Sequence, residues 1–132
     1  MPQNYFTAYE FRCRCGCGLS NLDPKMWDIL NQAREKLGKA IVINSGSRCE
    51  KYNLAVGGAK HSAHLVGPDG YTHAVDIQIY SDITRAVVHK ILYDLGIRRF
   101  ETSNKHLHAD NADGWLPTPI LASVTFCGVI ET

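Results

Sequence analysis

The stretch HLHAD, residues 106–110, limits what this chain can fold into more than any other, because strict polar and apolar alternation suits only an extended strand with two unlike faces. Successive strand side chains point to opposite sides, so His106, His108 and Asp110 share one face while Leu107 and Ala109 share the other. The stretch HAVDIQI, residues 73–79, has the same period: Val75, Ile77 and Ile79 alternate with Ala74, Asp76 and Gln78. If these two strands are neighbours in one sheet, Asp76 and both histidines are aimed the same way from a rigid support, and the apolar faces turn together toward a core.

The rest of the chain supplies elements to build that core. In LSNLDPKMWDILNQAREKLGK, Pro24 follows Asp23 at a first-turn position, Met26, Trp27, Leu30, Ala33 and Leu37 recur at helical spacing, and Gly38 closes the helix. AIVINS, Ala40 to Ser45, reads as a buried strand, and a short helix is expected over Glu50 to Val56. SDITRAVVHKILYDLG opens on a Ser or Asp cap and is expected to bury Ile83, Val87, Ile91 and Leu95 along one helical face before Gly96. IRRFE and KHLHAD each fit a strand, giving the order helix, strand, helix, strand, helix, strand, strand. No internal repeat or low-complexity segment divides the 132 residues, so one domain over 1–132 is expected, with roughly two-thirds of the unfolded surface buried at this size.

Charge and hydropathy remove several function classes. The 14 Lys and Arg nearly balance the 13 Asp and Glu, so no basic field concentrates nucleic acid by counterion release. No apolar run approaches a membrane span, and MPQNYFTAYEFR lacks a basic region followed by an apolar stretch; a chain without a secretion signal, and monomeric, is expected.

A catalytic zinc site needs three protein ligands and a fourth position open to water. His64, just before a Gly-rich loop, Asp76, His106 and His108 are the side chains placed to supply them. Two same-face imidazoles separated by one residue are a moderately specific signal, since they otherwise gain little from being neighbours. The run SGSRCEKYNLAVGGAKHSAHLVG, followed by HAVDI and later by HLH, resembles the zinc D-Ala-D-Ala carboxypeptidases and related murein endopeptidases, whose motifs read SxHxxGxAxD and HxH. Ser62, His64, Gly67, Ala74 and Asp76 match the first motif and His106 with His108 the second, and the similarity runs from about Phe11 to about Asp110.

The resemblance implies an α+β fold, a small, mostly antiparallel sheet packed with two or three helices, with His64, Asp76 and His108 holding Zn²⁺. It places His106 as a non-ligand active-site histidine and Arg48, in SGSR, as the group that holds a substrate carboxylate or a developing oxyanion, with Ser62 beside the substrate. Arg suits that task because it is always charged and binds carboxylates bidentately. The implied reaction is attack of zinc-bound water on a peptide bond of peptidoglycan stem peptides or cross-links, at the cell wall or periplasm, compatible with a phage lysis enzyme. Carboxypeptidase and endopeptidase both remain open. So does a non-catalytic zinc-binding module of the same fold, as in the hedgehog signalling domains, and an interaction protein with structural histidines and no metal.

Two departures matter. The separation of the first histidine and the aspartate is 76 − 64 = 12 rather than seven, because PDGYT intrudes; a turn-forming sequence such as PDG can extrude as a loop, and this one is a candidate to close the groove. Many relatives also carry Glu or Asp three positions before the last ligand, where this chain has Lys105, a poor base beside a cation. His106 is therefore the preferred proton carrier, with Asp110 and Glu101 as further candidates. His61 could line the groove, Tyr52 and Asn53 match a stretch that supports the Arg48 loop, and Trp115 is expected in the core or along the groove.

Five cysteines, an odd number, cannot all pair within the chain. On an extended chain, alternate spacing in FRCRCGCG sends Cys13, Cys15 and Cys17 to one face, whereas zinc pairs usually sit two to four residues apart around a tight turn. A Cys-rich segment before the first helix is itself part of the resemblance, which implies that it packs under the active-site loops and braces the Arg48 loop from beneath. Cys49 is its partner in a disulfide, among buried thiols, or in a second zinc site.

Overall fold

A computed structural model describes residues 3–113; Trp115 and Cys127 lie outside the described residues. After a 3-10 turn at Ala8–Phe11 come α1 (Pro24–Leu37), β1 (Ile43–Ser45), α2 (Glu50–Ala55), β2 (Ala74–Gln78), α3 (Asp82–Asp94), β3 (Arg99–Thr102) and β4 (His106–Asp110). The fold is α+β: one sheet in the order β1-β2-β4-β3, every pair antiparallel, with three helices.

Register follows from the period-two pattern. Asp76 lies opposite His108, which lies opposite Glu101; Ala74 lies opposite Asp110, which lies opposite Arg99; Gln78 lies opposite His106. One sheet face thus carries three rows, polar at every position but Ala74. The other face presents Ile43, Val75, Ile77, Phe100, Leu107 and Ala109 to a core completed by Met26 and Leu30 of α1 and Val88 and Leu92 of α3. Burying one such aliphatic side chain stabilises by about 1.5–3 kcal/mol, so a one-residue slip of β2 or β4 would forfeit the core and expose its apolar set.

α1 matches its pattern. Met26, Leu30 and Ala33 are buried, Trp27 and Leu37 pack partly against the core, and Gly38 ends the helix at φ 72°. Two expectations are corrected. The strand expected over AIVINS shortens at its start to Ile43–Ser45, although the Val42 carbonyl still accepts the Gln78 N–H at 2.9 Å; β1 is an edge strand rather than a buried one, with Val42 and Asn44 exposed, and a bulge, Ile43 opposite Ile77 and Ser45 opposite Asp76, leads its end into SGSR. In α3 the buried face is Arg85, Val88, His89 and Leu92, while Ile83 is 79% and Val87 43% exposed. The helix is rotated because two polar residues have specific partners: His89 packs on Phe100 at 4.3 Å, and Arg85 donates to Thr102 Oγ1 and, at 3.0 Å, to the His106 carbonyl.

Candidate metal centre

The three strand-borne rows and the SGSR bend converge on one point. His64 Nε2 lies 3.2 Å from Asp76 Oδ1 and 3.2 Å from His108 Nδ1, and His108 Nδ1 lies 3.0 Å from Asp76 Oδ1. The opposite ring nitrogens are already engaged. His64 Nδ1 is 2.6 Å from the Gly46 carbonyl, which can only accept, so Nδ1 carries the hydrogen. His108 Nε2 is 2.8 Å from Asp110 Oδ2, so this ring too presents its lone pair inward when neutral. Two imidazole lone pairs and a carboxylate oxygen facing one another at these distances repel unless a cation lies among them. Zinc bonds of about 2.0–2.1 Å at a tetrahedral angle set donor atoms about 3.3 Å apart, and the observed triangle fits that requirement.

Electrostatics describe the same site from the proton's side. Burial works to lower His108, but its hydrogen bonds to Asp110 and Asp76, with their charges, outweigh burial and raise it to about 9. Burial works to raise Asp76, yet His108 and His64 hold its carboxyl well below the usual carboxylate range. Burial lowers His64 and keeps it neutral. In the metal-free chain a proton on His108 therefore sits where a metal ion would.

Each remaining candidate has a definite place. Arg48 Nη2 lies 3.6 Å from Asp76 Oδ2, the oxygen turned away from the ligand triangle, while its Nη1 donates to Asn53 Oδ1 at 3.1 Å. A Cβ at Gly58 would strike Asn53 Oδ1 and come within 2.9 Å of Arg48 Nη1, so only glycine lets these two meet there. His106 Nε2 lies 3.7 Å from Asp76 Oδ2, with Ser103 Oγ 3.1 Å from its Nδ1. Ser62 Oγ accepts from the His64 backbone N–H at 3.1 Å. Asp110 is fully buried, taking Arg99 Nε at 2.7 Å and the Ala112 N–H at 3.0 Å on Oδ1 and His108 on Oδ2. That arrangement orients His108 and engages both oxygens of Asp110 within the protein.

A pocket of about 280 Å³ opens over the ligands, lined by Arg48, Ser62, Glu101, Ser103 and His106 among others. Lys105 is exposed and absent from its wall; Glu101 is on it, directly across the ladder from His108. PDGYT is absent from it too. That loop is tied down elsewhere, His73 Nε2 lying 2.8 Å from Asp69 Oδ2, an interaction that also lowers the Asp69 carboxyl, and Pro68 lines the neighbouring pocket with His61.

Three contributors were not read from sequence: the Gly46 carbonyl, Arg99 and Ser103. Arg99 left a signal, since in IRRFE it shares the parity of Glu101 and so the polar face. Gly46 left a weaker one: a Cβ there would lie 2.7 Å from the Phe11 carbonyl oxygen, so SGSR needs glycine for close backbone approach. Among the described residues, two further groups bring three or more potential ligand atoms within 4.8 Å of one another: Cys13, Cys15, Cys17 and Cys49, and Asp23, Asp69 and His73.

An antiparallel sheet that aims an imidazole and a carboxylate, and a turn that brings a second imidazole to the same point beneath an open pocket, are built as metallopeptidase sites are built. The chain matches the family model described as Peptidase M15 over residues 4–110, more than half its length, and it belongs to that family, the zinc D-Ala-D-Ala carboxypeptidase-like peptidases. No match was found among curated proteins.

Proposed function

We propose that the protein is a zinc-dependent hydrolase of peptide bonds in peptidoglycan stem peptides or cross-links, acting at the cell wall or periplasm. The observation that carries this reading is the ligand triangle of His64, Asp76 and His108, set beneath an open pocket with His106 and Arg48 flanking the free oxygen of Asp76. When bound there, a zinc ion supplies Lewis acidity, acidifying a water and polarising a peptide carbonyl.

The chain's own residues do the rest. Arg48, steadied by Asn53, orients a substrate carboxylate or receives negative charge developing on the carbonyl oxygen. His106 holds a proton for the leaving amine: Ser103 Oγ is placed to accept from Nδ1, which leaves Nε2 facing the pocket to release and retake the proton. Glu101, on the pocket wall, is the carboxylate able to take a proton from the attacking water where Lys105 cannot. The Lys105 departure also favours a second reading, a zinc-containing module of this fold that binds peptidoglycan peptides without cleaving them.

Incubating purified peptidoglycan with wild type and with His106→Ala separates the two. New amino termini released by wild type and not by the variant support hydrolysis. Retention of the protein on peptidoglycan, with no release from any peptidoglycan type, establishes the binding module instead.

A further inference from the structure

The four cysteines of the amino-terminal half do not lie as the spacing of FRCRCGCG suggests. The chain is not extended there. Gly16 and Gly18 take φ 89° and 90°, the left-handed region, the Gly16 N–H donates to the Cys13 carbonyl at 3.3 Å, and the Cys13 N–H donates to the Leu19 carbonyl at 2.7 Å. The resulting loop curls its three thiols inward over Cys49, 32 positions beyond Cys17 (49 − 17 = 32).

We propose that Cys13, Cys15, Cys17 and Cys49 form a second, structural zinc site, separate from the candidate centre on the sheet. All four sulfurs lie within 4.8 Å of one another. The measured separations are 3.5 Å for Cys13 to Cys15, 3.7 Å for Cys15 to Cys49 and 3.8 Å for Cys13 to Cys49. Four thiolates bonded to zinc at about 2.3 Å in a tetrahedron have edges of about 3.8 Å, so the existing spacing needs little adjustment. A disulfide would use two of the four sulfurs and requires them at about 2.05 Å. An iron–sulfur cluster would hold the thiolates apart on separate irons, and these sulfurs are mutually adjacent.

The backbone is arranged for anionic sulfur. The Cys49 N–H donates to Cys13 Sγ at 3.4 Å, and the Tyr52 N–H donates to Cys49 Sγ at 3.4 Å. Such donors around thiolate ligands are the usual outer support of a metal site. Packing accounts for Cys13, which is buried in the core, but not for the cluster: Cys15 and Cys17 are exposed and Cys49 is only partly buried. Exposed neighbouring thiols are a chemical liability unless they are used.

The ion would fasten the amino-terminal loop to the segment that carries Arg48, one residue before Cys49. Phe11 already supports that segment by accepting the Ser47 N–H at 2.8 Å. The brace read from the sequence is thus retained, with a metal as its fastener. This inference does not depend on the proposed reaction.

Metal analysis and cobalt spectroscopy of the full chain, prepared under reducing conditions, test it. Wild type should carry about two equivalents of zinc, His64→Ala about one, and Cys15→Ser with Cys17→Ser about one at most. Cobalt(II) substituted into His64→Ala should give an intense near-ultraviolet thiolate charge-transfer band, absent from the cysteine double variant. If that variant does not fold, the His64→Ala spectrum alone decides. One equivalent in wild type with none in His64→Ala, or a cobalt protein without the thiolate band, overturns the site. A denatured, unreduced chain lighter by two hydrogens that binds no metal at these residues overturns it as well.

Discussion

Asp110 Oδ2 lies 2.8 Å from His108 Nε2, and through that one contact a fully buried carboxylate decides which nitrogen of His108 faces His64 and Asp76, where a metal ion would bind. Asp110 is itself fixed by Arg99, its neighbour across the β3–β4 ladder. Replacing it with Asn keeps an oxygen able to accept from Nε2 but removes the charge that supports His108 and balances Arg99. Asp110→Asn should weaken zinc binding about 10–100-fold and destabilise the fold by up to about 3–5 kcal/mol. Chelator competition and urea unfolding read the two effects separately, and unchanged affinity would remove the orienting role.

Zinc uptake at the sheet should release a proton. The metal-free His108 titrates at about 9, above its ordinary 6.5, so at neutral pH a proton must leave before Nδ1 can bind metal. Apparent affinity should rise up to about tenfold per pH unit toward about 9 and flatten beyond it. The folded value is raised, so in the metal-free protein this group contributes stability that is fully present below 6.5 and lost as pH rises through about 9. Calorimetric zinc titration of a Cys15→Ser/Cys17→Ser chain, in buffers of differing ionisation enthalpy, measures the proton directly. No proton release at pH 7 would contradict the assignment.

Gly46 is constrained twice, by Phe11 behind it and by the His64 ring in front. A methyl group there would sit 2.7 Å from the Phe11 carbonyl oxygen and 2.8 Å from Phe11 Cα, so backbone must move. Gly46→Ala should cost about 1–3 kcal/mol and also lower zinc affinity, because the carbonyl that holds His64 Nδ1 moves with it. A stability loss with unaltered zinc affinity would separate the two constraints.

Each of the two proton-transfer candidates can be tested by rate. His106→Ala should lower kcat/KM by about 10²–10⁴ while leaving bound zinc unchanged, as expected for loss of a general acid. Glu101→Gln should produce a loss of similar order, likewise with bound zinc unchanged. If Glu101→Gln is as active as wild type, the water's proton goes elsewhere, and His106 serves both steps.

The sheet's polar face was legible because parity is local: once HAVDIQI and HLHAD are strands, Asp76, His106 and His108 must share a side whatever surrounds them. The α3 face was not legible, because apolar spacing cannot anticipate that Arg85 and His89 find partners on β3 and in the turn before β4. The cysteine loop was misjudged for a related reason. Alternate spacing on an extended chain predicts parallel thiols, but two glycines at positive φ let the chain curl; Cys49 was the expected partner, and the structure places it beside Cys13 and Cys15. Side chains on strands are thus readable from period, whereas the placement of side chains on a glycine-bearing turn depends on conformations that glycine permits without dictating.

Arg85 carries a final consequence. Its guanidinium donates to Thr102 Oγ1 and to the carbonyls of Asn104 and His106, bracketing the turn that forms one wall of the pocket. Helix α3, whose His89 packs on Phe100 at the core face, thereby sets the width of a cleft on the opposite side. Substrate selectivity in this protein can be altered by substitutions that no substrate touches, and a comparison of relatives confined to pocket-lining positions would overlook them.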